Sequence, residues 1–232
     1  MAEIFVVGHR NPDNDAIMSA SVLADLKNKL DGDNHYKAVR LGPLPAESEL
    51  VFTEFGVEAP ELIDHVDEGQ KIILTDHNEL GQAVAGIDKA EVVEIVDHHR
   101  IADVSTANPI LFLNLPIGST ATIVTLQFRQ TGIELPDSIA RVLLSAILTD
   151  TVIMKSPTCT QRDIDVANRM ARIANISQIT FDSLPHNSAV VLTLNACNVT
   201  HREGYKHVAV TTVLNTTIAT IIAILFAMIG IR

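Results

Sequence analysis

The 232-residue sequence predicts an α/β fold: a parallel sheet with helices on both faces, followed by an apolar helical tail. Three observations carry this expectation. Short β-branched runs alternate with longer segments of helical period, the pattern of βαβ units. Three of those runs, IFVVG (4–8), IILTD (72–76) and VVEIVD (92–97), lead straight into Asp and His residues. Parallel strands that finish on one sheet edge bring their loops into a common crevice, which is where open α/β sheets bind ligands. Finally, charge thins out beyond residue 176, where Asp182, Arg202, Glu203, Lys206 and Arg232 are the remaining charged residues.

Each element follows from its residues. MAEIFVVGHR reads as a strand and a polar turn, not as a signal peptide. DAIMSASVLADLKNKL (15–30) has apolar residues at helical spacing, with Asp13 or Asn14 available as a cap. YKAVRLG (36–42) reads as a strand, and PAESELVFTEFG (45–56) as a helix with Pro at its start and Gly at its stop. Strands at 71–76 and 91–97 flank a short helical stretch at 80–85. Helices are expected at 119–131, 137–149 and 160–174. A boundary between 175 and 181 separates domain 1–175 from a tail, 176–232. Within the tail, Val208 to Ile231 carry no charge; that run is long enough for a helix to cross a bilayer core of about 30 Å. A helix that packs on the domain or oligomerises is the other reading of the same residues.

Composition bounds the function. A formal charge of -11 argues against a nucleic-acid partner, which calls for a basic surface. Cys159 and Cys197 are the two cysteines and form no CxxC pair, so a thiolate metal site and a disulfide framework are not expected. A cytoplasmic location fits that usage, with membrane association through 208–231 as the alternative the tail raises.

The chemistry lies at the strand ends. The loop GHRNPDND presents His9, Asp13 and Asp15, the next strand ends at Asp76, and VVEIVDHH delivers Asp97, His98 and His99. Asp150 closes the helix ARVLLSAILTD. Taken singly, His9 is an ordinary loop histidine and Asp13 a helix cap. Together, so many carboxylates in one crevice need positive counter-charge, because buried like charges are costly. Asp and His donors without Cys suit Mn²⁺, Co²⁺ or Mg²⁺. Two ions bridged by Asp76, at the central strand end, would activate a water for phosphoester or phosphoanhydride hydrolysis. His77 has no second feature to support it and is read as an ordinary loop histidine.

The segments VVGHRNPDNDAIMSA, ILTDHNE, VVEIVDHHRIAD and LSAILTDTVIMKSPTCT resemble the DHH phosphoesterase superfamily and, within it, the family II manganese-dependent inorganic pyrophosphatases, over residues 1–175. The resemblance implies pyrophosphate as substrate, two Mn²⁺ ions and a homodimer. It assigns His9, Asp13 and Asp76 to one ion and Asp15, Asp76, His98 and Asp150 to the other. His99 would contact phosphate and protonate the leaving group, with Asp97 supporting the site from behind. Lys155, Ser156 and Thr158 would stand at the mouth of the crevice. The family's second domain carries a Ser-Arg-Lys-Lys-Gln stretch that grips pyrophosphate, and no such stretch occurs here. The segment with LPHN and THREGYKH instead resembles the end of gluconate-permease-type transporters. Two further readings are an inactive metal-binding fusion with a membrane-associating tail and a DHH hydrolase for nucleotide substrates. The scarcity of aromatic residues for base stacking counts against the latter.

Overall fold

The structure, a computed structural model, describes residues 2–176. The expected tail 176–232, including the bilayer-length run 208–231 and its transporter resemblance, lies outside the described residues but for Ile176. Among the described residues no helix is long and apolar enough to cross a membrane.

Among the described residues six strands form one sheet: β1 (Ala2–Val7), β2 (Asn34–Arg40), β3 (Glu61–Leu62), β4 (Lys71–Thr75), β5 (Glu91–Asp97) and β6 (Leu111–Asn114). All pairings are parallel, in the order β3-β2-β1-β4-β5-β6. The chain therefore builds outward from β1 in one direction and then from β4 in the other. This puts a topological switch between β1 and β4, and the crevice lies beyond their C-terminal ends.

The helices are α1 (Asn14–Leu30), α2 (Ala46–Phe55), α3 (Thr120–Thr131), α4 (Asp137–Asp150) and α5 (Gln161–Ile173). All five share one core with Ile4, Val6, Ile73 and Val96, on one face of the sheet. Fully buried side chains such as Ile17, Leu23, Ile123 and Leu143 each contribute about 1.5–3 kcal/mol from removal of apolar surface from water. Gly8 makes the turn from β1 to α1 possible, since a side chain there would meet Ala16 Cβ and the Ala16 carbonyl oxygen at 2.7 Å.

The other face corrects the expectation of helices on both sides. Val7, Val39, Ile72, Leu74 and Ile95 pack there against Val66 and Val84, with Ile87, Val104 and Ile110 at the margin. Among the described residues, loops and a 3-10 turn at Leu80–Gln82 cover this face. Right-handed crossovers send the β4-to-β5 and β5-to-β6 connections to the side opposite α1 and α2. Those connections carry Gly81, Gly86 and Pro109 and too few apolar residues at helical spacing to make α-helices. β3 and β6 were not foreseen from the sequence; both are short edge strands.

Candidate metal centre

The three strand ends meet. His9 follows β1, and its Nε2 lies 3.7 Å from Asp13 Oδ1 and 3.6 Å from Asp76 Oδ2. Asp13 caps α1 by accepting from the Ala16 amide at 2.9 Å, while its side chain stays half exposed. Asp76 follows β4 with φ of 63°, a left-handed conformation that Asp tolerates better than most residues. Its amide still donates to the Val96 carbonyl at 3.0 Å, so the strand pairing holds the residue while the turn aims its carboxylate into the crevice.

A second group lies deeper. Asp15 is fully buried in the first turn of α1 and accepts from Ser19 Oγ (3.1 Å), Ser119 Oγ (2.9 Å), the Thr120 amide (2.7 Å) and the Ala121 amide (3.0 Å). It thus sits against the N-terminus of α3, where free amides favour negative charge. His98 Nδ1 donates to the Ile117 carbonyl at 2.9 Å. Its Nε2 faces Asp76 Oδ1 at 3.3 Å and Asp150 Oδ2 at 3.4 Å. Both His98 Nε2 and Asp150 Oδ2 are buried without a hydrogen-bond partner among the described residues.

Donor atoms converge in three sets, each within 4.8 Å: His9, Asp13, Asp76; Asp15, His98, Asp150; and Asp76, His98, His99. Asp76 and His98 each belong to two sets, so the sets form one continuous centre. The orphaned imidazole nitrogen and carboxylate oxygen, with oxygen and nitrogen donors throughout, fit a divalent cation of the Mn²⁺ or Mg²⁺ class.

Electrostatics point the same way. Burial alone would lower the His9 pKa, but the nearby carboxylates of Asp13 and Asp76 outweigh it and carry it up to about 11. Burial likewise opposes protonation of His98, yet Asp76, with Asp15 and Asp150 nearby, lifts it to about 10. Burial, then the charge of Asp76, raises Asp150 to about 7, and burial with the charges of Asp76 and Asp150 pushes Asp15 well up. Burial works against ionised Asp76 too, but the imidazoles of His9 and His98 beside it hold it below the ordinary carboxylate range. Without metal, the cluster gathers protons as its counter-charge.

Asp97, at the end of β5, is fully buried and accepts from the amides of His98 (2.7 Å) and His99 (3.1 Å) and from His99 Nδ1 (2.9 Å). Asn78 donates to it as well. His99 is half exposed; its bond to Asp97 raises its pKa, and no hydrogen bond engages its Nε2 among the described residues.

His77 joins none of the three sets. It is buried, donates from Nδ1 to the Thr75 carbonyl at 2.9 Å, and has a pKa lowered by burial. Lys155, Ser156 and Thr158 follow α4 in a turn begun by three left-handed residues, Val152, Ile153 and Met154. The side chains of Ser156 and Thr158 bond to each other at 2.6 Å.

Sequence reasoning missed the groups that hold the ligands in place. Asn14 donates to Ser145 Oγ and Thr149 Oγ1 and accepts from Ser48 Oγ, tying the first cluster to α4 and α2. Asn78, Ser119 and Thr120 were also unassigned. The one local signal was Ser119 at a helix start, where it could be read as a cap.

Comparison with known proteins points to one family over most of the described residues. The profile described as "DHH family, N-terminal domain" matches residues 3–147. A probable manganese-dependent inorganic pyrophosphatase of Archaeoglobus fulgidus is 49% identical over 187 residues, covering 76% of this chain and 58% of that protein. One from Oceanobacillus iheyensis is 42% identical over 176 residues, covering 76% and 56%. A Methanococcus jannaschii crystal structure, described as a candidate family II inorganic pyrophosphatase, superposes with a TM-score of 0.71 at 38% identity, over 80% of this chain and 60% of that one. An exopolyphosphatase-related protein from Bacteroides fragilis, 15% identical with a TM-score of 0.56, shares the fold. The chain spans less than two thirds of the length of these relatives.

Proposed function

The chain belongs to the DHH family, and on that basis we propose that it carries the metal-binding domain of a manganese-dependent inorganic pyrophosphatase, the domain whose metal centre serves hydrolysis of pyrophosphate to two phosphates. The observation that carries this reading is the meeting of three Asp/His donor sets at Asp76 and His98. His9, Asp13 and Asp76 would hold one ion, and Asp15, Asp76, His98 and Asp150 the other. Divalent ions bound there supply Lewis acidity toward a phosphoanhydride and toward the water that attacks it.

The chain's own residues supply the proton. Asp97 fixes the Nδ1–H tautomer of His99 and favours its charged form, leaving Nε2–H directed away from Asp97 as donor to the departing phosphate. Lys155 and Ser156 would add contacts to substrate at the crevice mouth. After residue 178 the basic residues are Arg202, Lys206 and Arg232, none in a stretch like the one with which the family grips pyrophosphate. Dimerisation and a cytoplasmic location belong to the same reading.

Phosphate release from pyrophosphate by the purified chain, with Mn²⁺ and with chelator, tests it. Mn²⁺-dependent release is expected; release that ignores Mn²⁺ would overturn the reading. The uncharged run 208–231 supports a second reading, an inactive metal-binding chain that associates with membranes. Membrane fractionation with and without residues 208–232 separates the two: membrane recovery lost on deletion, in a chain without turnover, favours the second.

A further inference from the structure

We infer that Asp163, in the first turn of α5, is a positioning residue for the metal centre, acting through the 117–121 segment that leads into α3. The inference rests on the metal-binding reading above and deepens it. Asp163 is fully buried and far in sequence from every strand-end cluster. Its carboxylate accepts four hydrogen bonds: the Gly118 amide (2.9 Å), the Thr160 amide (2.8 Å) and Thr160 Oγ1 (2.7 Å) on Oδ2, and Thr122 Oγ1 (2.7 Å) on Oδ1. The loop it clamps has no slack. A side chain at Gly118 would meet Thr151 Cγ2 at 2.8 Å and both Asp163 Oδ2 and Cys159 Cα at 3.1 Å.

That clamped segment touches three of the candidate ligands. The Ile117 carbonyl accepts from His98 Nδ1, which keeps the proton on that nitrogen and leaves the Nε2 lone pair facing Asp76 and Asp150. Ser119 Oγ and the Thr120 and Ala121 amides supply three of the four bonds to Asp15. Thr120 Oγ1 donates to Asp76 Oδ1 at 2.9 Å. Asp76 has a separate anchor in its amide bond to Val96. Loosening Asp163 therefore bears mainly on the ion held by Asp15, His98 and Asp150, and much less on the ion held by His9, Asp13 and Asp76.

Mn²⁺ titration of the full chain, read by the electron paramagnetic resonance of free Mn²⁺, tests this without recourse to activity. Asp163→Ala is expected to weaken one ion by about 10-fold or more, the range seen when groups orienting a ligand are removed, with the other ion unchanged. Asp163→Asn should restore most of the loss, because its Oδ1 can serve Gly118 and Thr160 while its amide donates to Thr122 Oγ1. If Asp163→Ala does not fold, Gly118→Ala displaces the same loop and should weaken the same ion. Equal weakening of both ions, or no weakening in a folded variant, would show a merely structural role. Absence of Mn²⁺ binding by the unaltered chain would instead overturn the metal reading on which the inference rests.

Discussion

The two ligand groups differ in how they are held. The His9, Asp13 and Asp76 group opens to solvent: Asp13 has a side chain 53% exposed and gains one bond, from the Ala16 amide. The Asp15, His98 and Asp150 group is built around a buried Asp15 and framed by α3, with four donors on Asp15 and a backbone carbonyl on His98. The first is an entrance built on a loop. The second rests on a desolvated carboxylate, Asp15, whose burial is offset by the fixed dipoles at the start of α3. Asp76 belongs to the first set and faces His98 in the second, so it couples the two.

The sharpest break in that contrast is Asp76→Asn. It is expected to weaken both Mn²⁺ ions, by at least about 100-fold, because it removes the shared carboxylate. Calorimetric titration reads this directly, and a variant that loses one ion alone would show that the groups are separate. Asp15→Asn comes next. It should remove the deeper ion while leaving the outer one, and cost about 1–3 kcal/mol of stability in denaturant unfolding, since an amide group in place of Oδ2 faces the Thr120 amide with a second donor. Asp13→Asn should be mildest. It weakens the outer ion by about 10-fold and leaves stability unchanged, because Asn caps a helix as well as Asp does.

Acidity probes both groups together. In metal-free protein His9 and His98 bind protons more tightly folded than unfolded, at about 11 and about 10 against an ordinary 6.5. Their contribution to stability is therefore full below about 6.5 and is lost as pH rises through those values. Asp150, at about 7 against 3.8, loses its contribution between those two values as pH rises. Metal-free melting temperature should thus fall from neutral to alkaline pH, and saturating Mn²⁺, which replaces the protons, should flatten the slope. Equal slopes with and without Mn²⁺ would contradict the picture.

Much of this was legible in the sequence because strand ends and ligand types are local. β1, β4 and β5, the residues that follow them, and Asp150 at the end of α4 stand where residue pattern placed them. The helices expected at 119–131 and 160–174 begin within a residue of those positions, at Thr120 and Gln161. What escaped is non-local. Nothing near Asp163 says that it reaches Gly118, and nothing near Asn14 says that it ties α1 to Ser145 and Thr149. The second face of the sheet, covered among the described residues by loops, also escaped, because covering a sheet with loops leaves no periodic signal. β3 and β6 were too short to stand out from their surroundings.

The central claim is that one chain holds two unequal but coupled metal sites. Mn²⁺ titration of the unaltered chain beside Asp76→Asn tests it most directly. Two ions of distinct affinity on the first and neither on the second is the expected result. A single ion, or two ions that survive loss of the Asp76 carboxylate, would contradict it.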